Sequence, residues 1–298
     1  MNDRVTTTPQ FGRTAEDLGN IVELGHVNVT VPDQTKATAF YIMGLGLTRD
    51  PYLMAGVENM WVNVGRGQFH LPTRATPQVV RGTTALVVPD LEAAMKRLHG
   101  VRKYLEGTHF GFEQAGDVIE TTCPWGNRIR LHAPDTARFG PMRVGMPYVE
   151  FDIPVGTDLG AIAKFYTEIM GAIAGVEADA RGPYAWARTS AESRVIYRES
   201  NRKQPEYDGH HIQITLVDFS GPHRKLLERG LISEESDQHQ YRFLDIVDVD
   251  SNKPLFRIEH ETRSMRHPMF NRVFVNRNPD MNNRNFVPGY EVGLWALS

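Results

Sequence analysis

One short pattern constrains this chain more than any other: a strand of alternating character that runs into Pro or Asp and then into a helix, met four times. It stands first as His26-Val27-Asn28-Val29-Thr30-Val31-Pro32-Asp33 and again as Thr83-Thr84-Ala85-Leu86-Val87-Val88-Pro89-Asp90. It returns as Tyr148-Val149-Glu150-Phe151-Asp152-Ile153-Pro154 and as His211-Ile212-Gln213-Ile214-Thr215-Leu216-Val217-Asp218. Period-two alternation marks each as a strand. Asp33 is a helix cap, and the helix it starts is expected to run to about Met43, with Gly44 and Gly46 ending it. A spacing of roughly 55 to 65 residues suits a module of one strand, one helix and about three more strands.

Bulk properties remove several function classes. A chain of 298 residues is comfortable for two domains. The formal net charge is -3 and no long Lys/Arg block occurs, which argues against nucleic-acid or anionic-membrane partners. Cys123 is the one cysteine, so an internal disulfide and a multi-thiolate zinc site are excluded; the residue reads as a small packing group. Residues 1–20 are polar, carry both charges and lack the apolar core of a signal peptide, so they read as a flexible lead-in. No apolar run approaches a membrane span, and a cytoplasmic protein is the expectation. There is no Walker loop, dinucleotide fingerprint, nucleophile elbow or H-E-x-x-H pair; Gly65-Arg66-Gly67 reads as a hairpin turn.

The strands behind each helix echo one another as well. MWVNVG leads to QFHLPT in the first module, and YAWARTS to SRVIYRES in the third. The second closes on CPWGNRIRLHAP and the fourth on DSNKPLFRIEHETRS, which sets Arg130 against Arg257 and His132 against Glu259. Four such modules with a WGNRIRL ending resemble the vicinal oxygen chelate superfamily of glyoxalases, extradiol dioxygenases, epimerases and drug-sequestering resistance proteins, over roughly residues 20 to 265. The resemblance implies an α+β fold of tandem βαβββ modules, paired into two domains with curved mixed sheets. The expected domains are 21–138 and 144–275, with 276–298 as a C-terminal extension. Relatives of this architecture often dimerise, which makes a homo-oligomer an expectation.

In that superfamily the first and last strands of each module aim side chains into a pocket. The matching positions are His26, His70, Thr83 and His132 in the N-terminal half and Tyr148, Tyr197, His211 and Glu259 in the C-terminal half. The resemblance implies a metal held by His211 and Glu259, as in extradiol enzymes. Tyr148 stands where the third ligand is expected, and Glu150, two residues on and on the same strand face, is its substitute. A competing site would use His26, His70 and His132. Two His and a carboxylate suit Fe(II), with Mn(II) or Zn(II) as other divalent ions. Tyr148, Tyr197, His239 and Tyr241 are candidate catalytic donors or bases; His210, Arg257, Arg263 and His267 are candidate substrate contacts.

These residues imply a metal-dependent enzyme acting on a small oxygen-bearing, catecholic or aromatic molecule, leaning to extradiol dioxygenase chemistry. One alternative is a glyoxalase-like lyase or isomerase built on the N-terminal histidines. Another is a metal-free binding protein whose cleft is lined by Trp61, Trp125 and Trp186.

Overall fold

The computed structural model of the chain describes residues 11–285 apart from 54, 55 and 57. The first ten residues of the expected lead-in and the last thirteen of the expected extension lie outside the described residues. From 11 to 20 the lead-in forms a 3₁₀ turn at Arg13–Glu16, and the Asn20 amide donates to the carbonyls of Met170 (2.8 Å) and Asp218 (3.0 Å).

Four units follow in the same order of strand, helix and three strands. The first holds β1 (Ile21–Asn28), α1 (Gln34–Ala37), β2 (Thr48–Arg49), β3 (Asn59–Val64) and β4 (Gly67–Pro72). The second holds β5 (Gly82–Val87), α2 (Leu91–Val101), β6 (Gly111–Ala115), β7 (Val118–Thr122) and β8 (Arg128–His132), and a short helix α3 (Thr136–Phe139) leads out of it. The third holds β9 (Gly145–Ile153), α4 (Leu159–Glu168), β10 (Ala174–Asp179), β11 (Gly182–Arg188) and β12 (Arg194–Glu199). The fourth holds β13 (His211–Leu216), α5 (Ser220–Glu228), β14 (Ile232–Asp237), β15 (Gln240–Val247) and β16 (Pro254–Ser264).

Local chemistry explains the helix starts. The side chains of Asp33, Asp90 and Asp158 accept hydrogen bonds from free amides in the first turns of α1, α2 and α4. The first helix does reach Gly44, but it widens into π geometry over Thr38–Gly44. Cys123 is buried and its sulfur accepts from the amides of Trp125 and Asn127; burial pushes the thiol up, so it stays a packing group.

The sheets do not join consecutive units. One eight-stranded sheet has the order β14-β15-β16-β13-β1-β4-β3-β2 and unites the first unit with the fourth. The other, β10-β11-β12-β9-β5-β8-β7-β6, unites the second with the third. A cut between 138 and 144 therefore crosses the β5–β9 pairing rather than separating two sheets. The seam of the first sheet is the antiparallel pair β1–β13, the leading strands of the first and fourth units.

The helices and one face of each sheet share a single apolar core, which includes Phe40, Leu98, Phe151, Phe165, Tyr197, Phe243 and Ile258. Period-two alternation then forces the neighbouring residues onto the opposite faces. That opposite face of the first sheet is unusually polar for a buried surface. His26, Asn28, Gln68, His211, Gln213, Thr215, Glu261 and Arg263 are all buried.

Such polarity is tolerated because a segment after β16 is tied across this face. The Asn63 amide donates to Val275 O (3.0 Å), and Asn276 both accepts from Gly65 N and donates to Gly65 O, each at 2.9 Å. Arg272 pairs with the wholly buried Asp50. Gly65 has φ 63°, and a Cβ there would meet Val144 O at 2.2 Å, so the β3–β4 turn has room for no other residue.

Candidate metal centre

The site grows from two central strands. β1 carries a bulge at Gly25, which shifts the register between Leu24 and His26. The bulge brings Glu23 and His26 to the same face, and a Cβ on Gly25 would lie 1.8 Å from Gln213 Oε1. β13 and β16 run in parallel with His211 opposite Glu259 and Gln213 opposite Glu261. His26 in turn lies opposite Gln213. Two units distant in sequence therefore converge on one place.

There His26, His211 and Glu261 each offer one ligand atom, all within 4.8 Å of one another, and all three residues are buried. His26 Nε2 lies 4.0 Å from Glu261 Oε1, and His211 Nε2 lies 3.4 Å from Glu261 Oε2. Atoms bound to one ion at about 2.1 Å are themselves about 3 to 3.5 Å apart, so small side-chain shifts suffice. The buried atoms His26 Nε2 and His211 Nε2 have no hydrogen-bond partner among the described residues. Buried polar atoms are rarely left so, and two on adjacent strands beside the Glu261 carboxylate fit a divalent ion.

The electrostatics prepare the same state. Burial drives the His26 imidazole well below its ordinary pKa, so its lone pair is free of a proton. Burial alone would raise the Glu261 carboxyl, but the adjacent His211 imidazole and the charges of His26 and Arg263 hold it well below the glutamate range. Arg263 Nη2 stands 2.6 Å from Oε1 and Arg242 Nη2 2.7 Å from Oε2. The carboxylate is thus ionised, as a ligand must be.

His70 belongs to the wall of this site. Its ring stacks on Trp61 at 3.8 Å and 11°, its Nε2 is paired with Asn59 Oδ1 at 2.6 Å, and burial lowers its pKa to about 3. Glu259 is also adjacent, at 3.2 Å from His211 Nδ1, on the other side of that ring from Glu261.

Several expected partners sit elsewhere. Glu150 and His132 belong to the second sheet, apart from the histidines with which they were grouped. Glu150 receives both Nη atoms of Arg181, at 2.7 and 2.6 Å. His132 Nε2 meets Tyr148 OH at 2.9 Å, so these two pair with each other. Glu150 lines a cavity of about 550 Å³ together with Thr83, Arg128, Arg130, Asp152, Arg181 and Arg198. In that cavity Arg128 pairs with Asp152 and Arg130 with Glu120, so ion pairs stand where the first sheet has its ligand set.

Tyr197 and Tyr241 point into the core. Tyr197 OH is 2.5 Å from Tyr166 OH, and Tyr241 is packed against Phe219 and His223. Each is one residue out of phase with the polar face of its strand. His239 lies in the β14–β15 turn, where its amide donates to Asp237, and Arg257 is exposed and bidentate to Asp245. His210 is locked on Asp208 at 2.6 Å through Nδ1. Arg263 does reach the site. His267, in the segment after β16, feels the charges of Arg263 and Glu261, and burial lowers its pKa to about 4. Glu261 shares the face of Glu259 by simple alternation and could be read as a candidate on that ground. Arg242 has no signal in the sequence, because β15 reaches the site only through its register with β16.

No protein-family model and no curated protein matches the chain. Solved structures do. A maize (Zea mays) glyoxalase I mutant superposes with a TM-score of 0.57 at 14% identity, covering 85% of this chain and 96% of that one. Wild-type maize glyoxalase I gives 0.55 at 13% identity, covering 83% and 93%. The chain therefore shares the fold of these glyoxalases. A candidate dioxygenase from Bacillus subtilis gives 0.53 at 15% identity, covering 82% of this chain and 86% of that one. At such identities the vicinal oxygen chelate likeness concerns architecture, and chemistry must be argued from the side chains. Among the described residues no helix is long and apolar enough to cross a membrane.

Proposed function

We propose that the chain is a metal-dependent enzyme of the vicinal oxygen chelate type, with His26, His211 and Glu261 as the protein ligands of one divalent ion. The observation that carries this reading is the convergence of two buried imidazoles and one ionised carboxylate, with both imidazole Nε2 atoms unpartnered. Two His and one carboxylate with open positions is the ligand set of non-haem Fe(II) oxygenases, which favours iron and an extradiol-type reaction on a catecholic or other small aromatic substrate. The metal would supply a Lewis-acid site for adjacent substrate oxygens.

The chain's own groups would do the rest. Arg242 and Arg263 keep Glu261 ionised. Stacked Trp61 and His70 form an aromatic wall beside His26, which suits a flat substrate. The segment from 265 to 277 excludes water, which strengthens every charge interaction beneath it. A cavity of about 420 Å³ bounded by Glu23, Leu24, Gly67, Met142 and Phe270 adjoins this face at Glu23 and is of a size for a small molecule.

The test is oxygen uptake by anaerobically iron-loaded protein with a panel of substituted catechols. Uptake that yields ring-opened products and disappears in Glu261→Ala supports the reading. A flat response from protein carrying one iron per chain contradicts the dioxygenase branch.

A further inference from the structure

The two glutamates of β16 address opposite nitrogens of one imidazole. Glu261 Oε2 lies 3.4 Å from His211 Nε2, while Glu259 Oε1 lies 3.2 Å from His211 Nδ1. The arrangement follows from the strand pairing, because β13 and β16 run in parallel with His211 and Glu259 in register. Arg242 spans the two carboxylates, with Nη1 2.6 Å from Glu259 Oε1 and Nη2 2.7 Å from Glu261 Oε2. One planar fork thus fixes the spacing of both.

From this geometry we infer that Glu259 is a positioning residue: it accepts the Nδ1 proton of His211 and so keeps Nε2 unprotonated and aimed at the metal position. A neutral imidazole carries its proton on one nitrogen, and the partner of that nitrogen selects the tautomer. Glu259 faces Nδ1, and His211 Nε2 has no hydrogen-bond partner among the described residues. Carboxylates in this relation to a ligating histidine orient the ring and raise its basicity. The inference rests on the proposed ligand set, but the contact between Glu259 and His211 can be read without any metal.

The experiment therefore has two arms, applied to the full chain and to Glu259→Ala, Glu259→Gln and Glu261→Ala. In the first, two-bond proton–nitrogen NMR on protein labelled with ¹⁵N-histidine, metal-free and at pH 8, reports the tautomer of His211. The wild type is expected as the Nδ1–H form and Glu259→Ala as a mixture or the Nε2–H form. Glu259→Gln, which retains a neutral acceptor, is expected to keep Nδ1–H. In the second, anaerobic Fe(II) titration is expected to show one site weakened about 10- to 100-fold in Glu259→Ala, less in Glu259→Gln, and abolished in Glu261→Ala. Wild-type Fe(II) affinity in both Glu259 variants overturns the inference. So does abolition in Glu259→Ala equal to that in Glu261→Ala, since Glu259 would then be a ligand. If the wild type binds no metal, the ligand set fails; the tautomer arm still decides whether Glu259 orients His211, and an unchanged tautomer in Glu259→Ala overturns it.

Discussion

His26 of β1 and His211 of β13 belong to the first and fourth units, yet their rings stand 5.6 Å apart between centroids. Their strands are hydrogen-bonded neighbours at the seam of one sheet. The functional reading depends on this contact, because neither half of the chain holds two histidines and a carboxylate in one place among its described residues.

The segment after β16 is held by a buried ion pair whose removal should be costly. Asp50 is fully buried and also accepts from the amides of Tyr52 and Leu53 and from Gln68. Asp50→Ala leaves Arg272 without its partner, and breaking such a pair costs about 3–5 kcal/mol. Urea unfolding should show that loss, and limited proteolysis should cut sooner between 265 and 285. Unchanged unfolding and cleavage would mean that the segment is held elsewhere.

Strand pattern and faces were legible in the sequence, and so was the Asp33 cap. The pairing of units was not. Alternation says which residues share a face but not which strand lies alongside, and contact between β1 and β13 closes a long loop from Asn28 to His211. Read as two separate sets, the candidate residues hide the approach of His26 to His211 across the seam. Glu150 shares the strand face of Tyr148, where the resemblance expects the third ligand, but its strand lies in the other sheet from His211. Alternation alone does not choose between Glu259 and Glu261, because a shift of two residues preserves the face.

Tyr166 should matter for stability and leave the metal centre untouched. His260 Nδ1 donates to Ile258 O at 3.0 Å, so its Nε2 must accept from Tyr166 OH at 2.6 Å, and Tyr197 OH then donates to Tyr166. Tyr166→Phe orphans both buried partners, which costs about 1–3 kcal/mol for each unsatisfied group. Chemical denaturation should show the loss with unchanged Fe(II) stoichiometry. A neutral effect would mean that Tyr197 and His260 find other partners.

His132 predicts part of the acid sensitivity. Burial first, then the charges of Arg138 and Arg130, lowers its pKa from 6.5 to about 4. The unfolded chain therefore takes up this proton at a higher pH than the folded one. Stability from this group is fully present above pH 6.5 and is lost as pH falls toward 4, by at most about 1.4 kcal/mol per pH unit. His132→Gln should have a shallower stability profile than the wild type in that window. Parallel profiles would show that His132 is not held neutral in the fold.

The central claim is tested most directly by metal stoichiometry. Untagged protein reconstituted anaerobically with Fe(II) should carry one ion per chain in the wild type, in His132→Ala and in Glu150→Gln, and none in His26→Ala, His211→Ala or Glu261→Ala. Retention of iron in His26→Ala together with its loss in Glu150→Gln would contradict the account, because the ion would then sit outside the seam between the first and fourth units.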